Sequence, residues 1–276
     1  MTQQPTVTFN DGKAIPQLGL GVWQTPDDGA VRVVQTALQA GYRHVDTAAI
    51  YENEQGVGGG IRAADIARGD LFVTTKVWNA DQGYEATLRA ADASLARLGL
   101  DHVDLYLIHW PSPKQNLYVE TWRALIRLRD EGRALSIGVS NFAVPHLDRL
   151  ISETGVVPAL NQIELHPRFQ QRALRAAHAE RGIATESWSP LGQGTLLADP
   201  TIVAIAAKHG RTPAQVIIRW HLDSGLIVIP KSVTPSRIVE NFDVFGFALD
   251  AQDMTAIAAL DIVAGRIGPD PMTADF

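Results

Sequence analysis

The 276-residue chain contains no cysteine. That absence removes disulfides, thiolate nucleophiles, zinc–sulfur centres and thiolate-held iron–sulfur clusters, and it suits a reducing compartment, so a cytoplasmic location is expected. Also missing is any apolar run approaching the roughly 20 residues of a membrane span. The opening stretch MTQQPTVTFNDG lacks the basic segment and long apolar core of a signal peptide. Positive charge is scarce: 24 Lys and Arg stand against 30 Asp and Glu, a net charge of -6. This disfavours nucleic acid or an anionic membrane as the main partner but leaves room for a local phosphate pocket. Low-complexity stretches, linkers and breaks in composition are absent too. With 46% apolar residues the chain can bury one large core, and a single domain over residues 1–276 is expected.

What is present is an alternation. Eight β-rich runs recur, at residues 18–23, 43–48, 71–78, 103–110, 135–141, 158–166, 183–190 and 226–232. Between them lie segments of helical period. In YEATLRAADASLARLGL, Leu88, Ala91, Leu95 and Leu98 share one face and Gly99 is a stop; in RTPAQVIIRWHL, Thr212 and Pro213 are placed as N-cap and first helical residue. Strand alternating with helix eight times implies a closed parallel (β/α)8 barrel. The pieces around Asn10-Asp11-Gly12 predict a hairpin capping the barrel bottom, and the Gly- and Pro-rich end AGRIGPDPMTADF predicts a loop. GVGGG (residues 56–60) is not a phosphate loop, because Ile61 stands where the last glycine of G-x-G-x-x-G belongs and no strand precedes it; a tightly packed helix is the better expectation.

Asp46, Tyr51, Lys76 and His109 each lie at or just beyond the C-terminal end of an expected strand, and in a barrel those ends meet at one mouth. Singly, a tyrosine there is packing and a histidine is a satisfied core residue. Together they form a proton donor. An ammonium beside Tyr51 favours its ionised form and is expected to lower a phenol pKa of about 10. A buried Lys76 needs a carboxylate to stay charged, and Asp46 is placed to supply it. His109 is positioned to hydrogen-bond a substrate oxygen or the tyrosine hydroxyl. No G-x-S-x-G, H-E-x-x-H or metal-ligand spacing accompanies them, so no metal is expected and a redox cofactor is the natural complement.

GYRHVDTAAIYENE, TTKVW, LIHWP, IGVSNF, NQIELHP and IPKSVTPSRIVEN, in that order and spacing, resemble the motifs of the aldo-keto reductases, and among them those of microbial 2,5-diketo-D-gluconic acid reductases. The resemblance runs from the hairpin to the helix after the last strand. It implies a tetrad of Asp46, Tyr51, Lys76 and His109 with Tyr51 as general acid, and NADPH as cofactor. It assigns Ser140, Asn141 and Gln162 to the carboxamide, and Trp188, where many relatives have tyrosine, to stacking. Ser189, Leu191 and Gln193 would drape over the pyrophosphate. Lys231, Ser232, Val233 and Arg237 would form the phosphate site, with Arg237 and Lys231 on the adenosine 2′-phosphate; Glu240 and Asn241 would contact adenine. A guanidinium suits bidentate phosphate recognition, which favours NADPH over NADH; ordinary surface charge is the bland alternative.

Trp23, Trp78 and Trp110 follow the first, third and fourth strands and are candidates for the wall of a substrate pocket rather than core. Residues 265–276 resemble the family's variable lid. The expected partner is a small carbonyl compound, foremost a dicarbonyl sugar acid, with methylglyoxal, keto esters and aromatic aldehydes also open, and the expected state is a monomer. Two rivals use the same residues: a lyase forming a Schiff base on Lys76, and a cofactor-binding sensor with little turnover.

Overall fold

The computed structural model describes residues 4–274 and 276. Met1–Gln3 and Asp275, which fall within the segments expected to be leaderless and lid-like, lie outside the described residues. The chain opens with a two-stranded antiparallel hairpin, β1 (Thr6–Thr8) and β2 (Ala14–Pro16), in which Val7 faces Ile15. Eight parallel strands follow: β3 (Leu20–Gly21), β4 (His44–Asp46), β5 (Phe72–Val77), β6 (Val103–Ile108), β7 (Ala134–Ser140), β8 (Leu160–Glu164), β9 (Ala184–Trp188) and β10 (Ile227–Val228). They pair in chain order, and bridges Leu18↔Val228 and Gly21↔Lys231 close the sheet on itself. The (β/α)8 barrel and its hairpin are therefore as expected. The hairpin lies across the strand starts, where Asn10 donates to the Pro158 carbonyl (2.9 Å) and Ser136 to the Asp11 carboxylate (2.7 Å).

Helices α1 (Asp27–Ala40), α2 (Glu54–Ala63), α3 (Tyr84–Leu98), α4 (Tyr118–Asp130), α5 (Val144–Thr154), α6 (Arg172–Glu180), α7 (Pro200–His209), α8 (Pro213–Asp223), α9 (Pro235–Phe242) and α10 (Ala251–Ala258) surround the sheet. Among the described residues none is long and apolar enough to cross a membrane. Thr212 caps α8 in a reciprocal box with Gln215, with Pro213 as the first helical residue, and Gly99 ends α3 in a left-handed conformation. The buried positions of α3 differ from the expected stripe: Thr87, Ala91, Ser94 and Leu98 are buried, while Leu88 and Leu95 flank them half-buried. Thr87 can be buried because its hydroxyl donates to the Asp81 carbonyl.

The GVGGG segment is helical, within α2. A Cβ on Gly56 would stand 2.0 Å from the Asp27 carbonyl oxygen, and one on Gly58 would stand 2.0 Å from that of Leu98. The glycines thus let α2 lie directly on the N-terminus of α1 and the C-terminus of α3. Gly58→Ala is expected to lower stability by about 1–3 kcal/mol through overpacking, which outweighs the roughly 1 kcal/mol that alanine gains over glycine in a helix interior. A chemical denaturation midpoint at or above the wild-type value would show that the helices yield freely.

The barrel interior is layered. Alternate strand residues point inward, and the lowest layer is an apolar plug of Phe72, Leu105, Leu107, Leu160 and Ile227, closed below by Phe9 and Ile15 of the hairpin. Moving toward the strand ends, each inward row turns polar: Phe72-Thr74-Lys76, Leu160-Gln162-Glu164, Ala184-Glu186-Trp188 and Leu105-Leu107-His109. The apolar floor fixes the barrel and the polar upper rows face the mouth.

Candidate active site

Asp46 is the last residue of β4 and Lys76 the penultimate residue of β5, on adjacent strands. Their side chains meet in a buried ion pair of 2.6 Å, and the Lys76 ammonium also donates to the Thr47 carbonyl at 2.8 Å. Burial alone would lower the lysine pKa, but the Asp46 charge reverses this and raises it, so Lys76 is a cation. Burial pushes the Asp46 carboxyl up, opposed by Lys76 and by a 2.8 Å bond from Gln162.

Tyr51 ends a 3-10 turn, Ala49–Tyr51, immediately after β4. Asn53 pins this turn: it accepts from the Thr47 hydroxyl at 2.7 Å and donates to the Val22 and Thr25 carbonyls, both at 2.9 Å. The Tyr51 ring lies 5.1 Å from the Lys76 ammonium and packs edge-on against His109, centroids 5.6 Å apart. All four expected residues therefore meet at one place. The expected depression of the phenol pKa does not occur: burial raises it, and the Lys76 charge offsets this only in part, with Asp46 and Glu186 adding to the rise. Tyr51 remains a phenol holding its proton. His109 is kept neutral, burial and the Lys76 charge both moving its pKa well down, and its Nδ1 has no hydrogen-bond partner among the described residues.

Beside this group lies a second polar cluster. β7 ends at Ser140, and Asn141 turns the chain with a left-handed φ of 63°, a conformation asparagine tolerates. Asn141 Nδ2 donates to the His109 carbonyl (3.0 Å) and to Ser140 Oγ (3.1 Å), while its Oδ1 accepts from the Trp188 indole N–H at 2.8 Å. The Ser140 hydroxyl donates to the Gln162 carbonyl at 2.8 Å. Gln162 Nε2 bonds both Asp46 and Glu186, the latter at 2.7 Å. With both amide hydrogens used, what Gln162 retains for a ligand is its carbonyl oxygen, and Asn141 retains a second lone pair on Oδ1. A ligand amide would find two acceptors here beside an indole face, whereas the Ser140 proton is already committed.

Ser189 continues from β9 with a left-handed φ of 48°, and Gln193, at φ 52°, is exposed in a 3-10 turn that follows Leu191. After β10, Lys231 and Arg237 are exposed, and neither side chain has an ion pair or hydrogen bond among the described residues. Ser232 Oγ accepts from Thr234 N (3.2 Å) just before α9, and Val233 is exposed beside it. Asn241 is buried, and the Glu240 carboxylate accepts from the Thr212 hydroxyl at 2.9 Å. Two free cations beside a helix N-terminus suit a phosphate dianion.

Trp78 packs edge-on against His109 (5.2 Å). Phe276 stacks on Trp78 (5.9 Å) and meets Trp110 edge-on (5.2 Å), its main-chain oxygen accepting from Asn79 at 2.9 Å. Trp78 and Trp110 thus share one wall; Trp23 is 45% exposed and has no ring contact among the described residues. The tail reaches this wall after crossing Trp188. Ile267 and Gly268 donate backbone N–H groups to Glu164 at 2.5 and 2.8 Å, and a Cβ on Gly268 would stand 2.6 Å from the Trp188 ring. Phe276, Glu164, Glu186 and His44 were not among the residues expected from sequence; Glu186 and His44 sit two residues before Trp188 and Asp46, on the same inward rows.

A barrel with a proton-holding tyrosine over a buried lysine–aspartate pair, an amide cradle and a free cationic pair has the parts of a nicotinamide oxidoreductase. The chain belongs to the aldo/keto reductase family, whose model matches residues 16–262. It is 61% identical over 272 residues to an aldo-keto reductase of Mycolicibacterium smegmatis, covering 99% of this chain and 98% of that one. It is 53% identical to the methylglyoxal reductase DkgA of Escherichia coli K12, with 98% of each covered. A solved structure of a Gox0644 mutant in complex with NADPH superposes with a TM-score of 0.96 at 57% identity, 99% of each chain covered. The protein is an NADP-dependent oxidoreductase that reduces carbonyl groups, with NADPH as its cofactor, as expected.

Proposed function

We propose that the chain reduces the aldehyde or ketone of small dicarbonyl compounds, methylglyoxal first among them and 2,5-diketo-D-gluconate next, with Tyr51 donating the proton. The observation that carries the assignment is the 2.6 Å Lys76–Asp46 pair beneath Tyr51, with neutral His109 alongside. NADPH, when bound, supplies the hydride. Trp188 offers the face on which its nicotinamide rests, Asn141 and Gln162 accept from its carboxamide, and Lys231 and Arg237 hold its 2′-phosphate, with Ser189, Leu191 and Gln193 along the phosphates and Asn241 toward the base.

The substrate oxygen takes a hydrogen bond from Tyr51 and another from His109. As negative charge grows on that oxygen, Tyr51 releases its proton to it, and the Lys76 ammonium stabilises the phenolate left behind. Trp78, Trp110 and Phe276 make a narrow apolar wall that excludes water and suits a small carbonyl. Relatives named methylglyoxal reductase support that substrate class. Lys76 is committed as a cation to Asp46 and Thr47, which leaves no free amine for a Schiff base. The chain acts as one barrel domain, as a monomer and in the cytoplasm.

NADPH oxidation with methylglyoxal, 2,5-diketo-D-gluconate, a β-keto ester and an aromatic aldehyde tests the reading; turnover confined to the aromatic aldehyde would overturn the substrate class. Arg237→Ala is expected to raise KM for NADPH by about 10-fold or more, the size of a lost charge-assisted bond pair at roughly 1.5–3 kcal/mol, while leaving KM for NADH unchanged. An equal rise for both cofactors would place the 2′-phosphate elsewhere.

A further inference from the structure

Below the Asp46–Lys76 pair lies a carboxyl group for which proton transfer to substrate has no use. Glu186 projects from the middle of β9, in register with Gln162 on one side and Ile227 on the other, and it is completely buried. Its Oε2 accepts from Gln162 Nε2 at 2.7 Å; its Oε1 has no hydrogen-bond partner among the described residues. The neighbouring imidazole gives it no countercharge. His44 Nε2 lies 3.7 Å away and 3.3 Å from the Thr74 hydroxyl, and burial together with the Lys76 charge pushes His44 down to about 3, so it is neutral. Gly19 leaves room for that ring: a Cβ there would stand 2.3 Å from His44 Nδ1.

The ionisable groups facing Glu186 are Asp46 and His44 from β4, Lys76 from β5 and, above them, Tyr51. One ammonium thus serves two carboxyl groups joined through a single amide. Asp46 contacts that ammonium directly and Glu186 does not, so the proton the pair must keep sits on Glu186. Burial, then the Asp46 charge, pushes Glu186 up to about 8.

We propose that Glu186 is a positioning residue for reduction: as an un-ionised carboxylic acid it keeps the buried layer beneath Tyr51 electrically neutral and holds the Gln162 amide hydrogens toward the barrel interior, and its ionisation is the alkaline off-switch of the site. Two consequences follow from charge. An ionised Glu186 opposes formation of the Tyr51 phenolate, weakening the acid. It also places a negative charge below the nicotinamide, which favours the cationic NADP+ over NADPH. The proposal rests on Tyr51 being the proton donor for its first consequence, and on cofactor binding alone for its second.

The test uses the full chain, Glu186→Gln, which keeps a neutral hydrogen-bonding side chain, and Glu186→Ala, which does not. Infrared spectra of the cofactor-free wild-type protein should show a carboxylic acid carbonyl band at pH 6 that is lost as pH rises through about 8 and is absent from E186Q. Across the same range, tryptophan-fluorescence titrations should show the ratio of NADP+ to NADPH dissociation constants falling on the order of tenfold in wild type, the size of a unit charge acting over about 10 Å at an effective dielectric of about 20. The ratio should stay flat in E186Q. The alkaline limb of kcat should move to higher pH in E186Q, and KM for NADPH should rise more in E186A than in E186Q.

A wild type lacking the band at pH 6, or an E186Q variant with the wild-type alkaline limb and affinity ratio, would overturn the proposal. If E186Q does not accumulate, the wild-type band and its titration decide. Failure of the Tyr51 assignment would look different: normal turnover in Tyr51→Phe, with the infrared and affinity changes still present.

Discussion

Tyr51→Phe is expected to lose carbonyl reduction while binding NADPH as the wild type does. The phenylalanine ring preserves the edge-on packing against His109 and the face toward Lys76, so the change removes one hydroxyl and little else. General acid catalysis contributes about 10²–10⁴-fold, and kcat should fall at least that far. Because burial holds the phenol pKa up, the wild type keeps this proton throughout the neutral range, and no loss of rate from Tyr51 ionisation is expected there. Single-turnover rates with preloaded NADPH make the comparison, and near-normal rates in the variant would remove Tyr51 from the chemistry.

Lys76→Met should lower stability by about 3–5 kcal/mol, because it strips the countercharge from a buried carboxylate. Asp46 would keep its bond from Gln162 and lose its ammonium. The sign of the pH dependence follows. A carboxyl whose folded pKa lies above its unfolded value binds its proton more tightly when folded, so stability is lost as pH rises from the unfolded value through the folded one. The variant should therefore unfold more readily at pH 8 than at pH 5, and adding Asp46→Asn should restore much of the loss. Urea midpoints for the single and double variants give the answer; a double variant less stable than Lys76→Met would show that the charge imbalance is not the cause.

Local rules made the barrel legible. The strand runs, the Asn10-Asp11-Gly12 hairpin, the Thr212-Pro213 start of α8 and the Gly99 stop of α3 are each set by neighbours in sequence, and the structure keeps them. Strand lengths were less legible, because Asn141 and Ser189 leave the ladder in left-handed conformations that their residue types permit but do not require. The meeting of Asp46, Lys76, Tyr51 and His109 was accessible because barrel strand ends converge. Glu186 was hidden for the opposite reason: a glutamate in a strand ordinarily faces water, and its burial depends on the register with Gln162. Counting two residues back from Trp188 along the inward row would have found it. The Tyr51 shift is opposite in sign to the expectation because proximity to Lys76 is visible in a motif and desolvation is not. Phe276 reaches Trp78 through a tail whose path no periodicity encodes.

That path has an evolutionary consequence. Glu164 fastens Ile267 and Gly268 across Trp188, and eight residues later Phe276 packs against Trp78 and Trp110. The indole face proposed for stacking and the wall proposed for substrate are thus touched by one piece of chain. A lineage exchanging its tail to admit a new substrate would alter nicotinamide seating in the same event, unless the Glu164 fastening and the glycine at 268 were inherited unchanged. Grafted tails that retain those two positions should diversify substrates at little expense to cofactor affinity, so the clasp divides an otherwise continuous segment into a fastened base and an exchangeable tip.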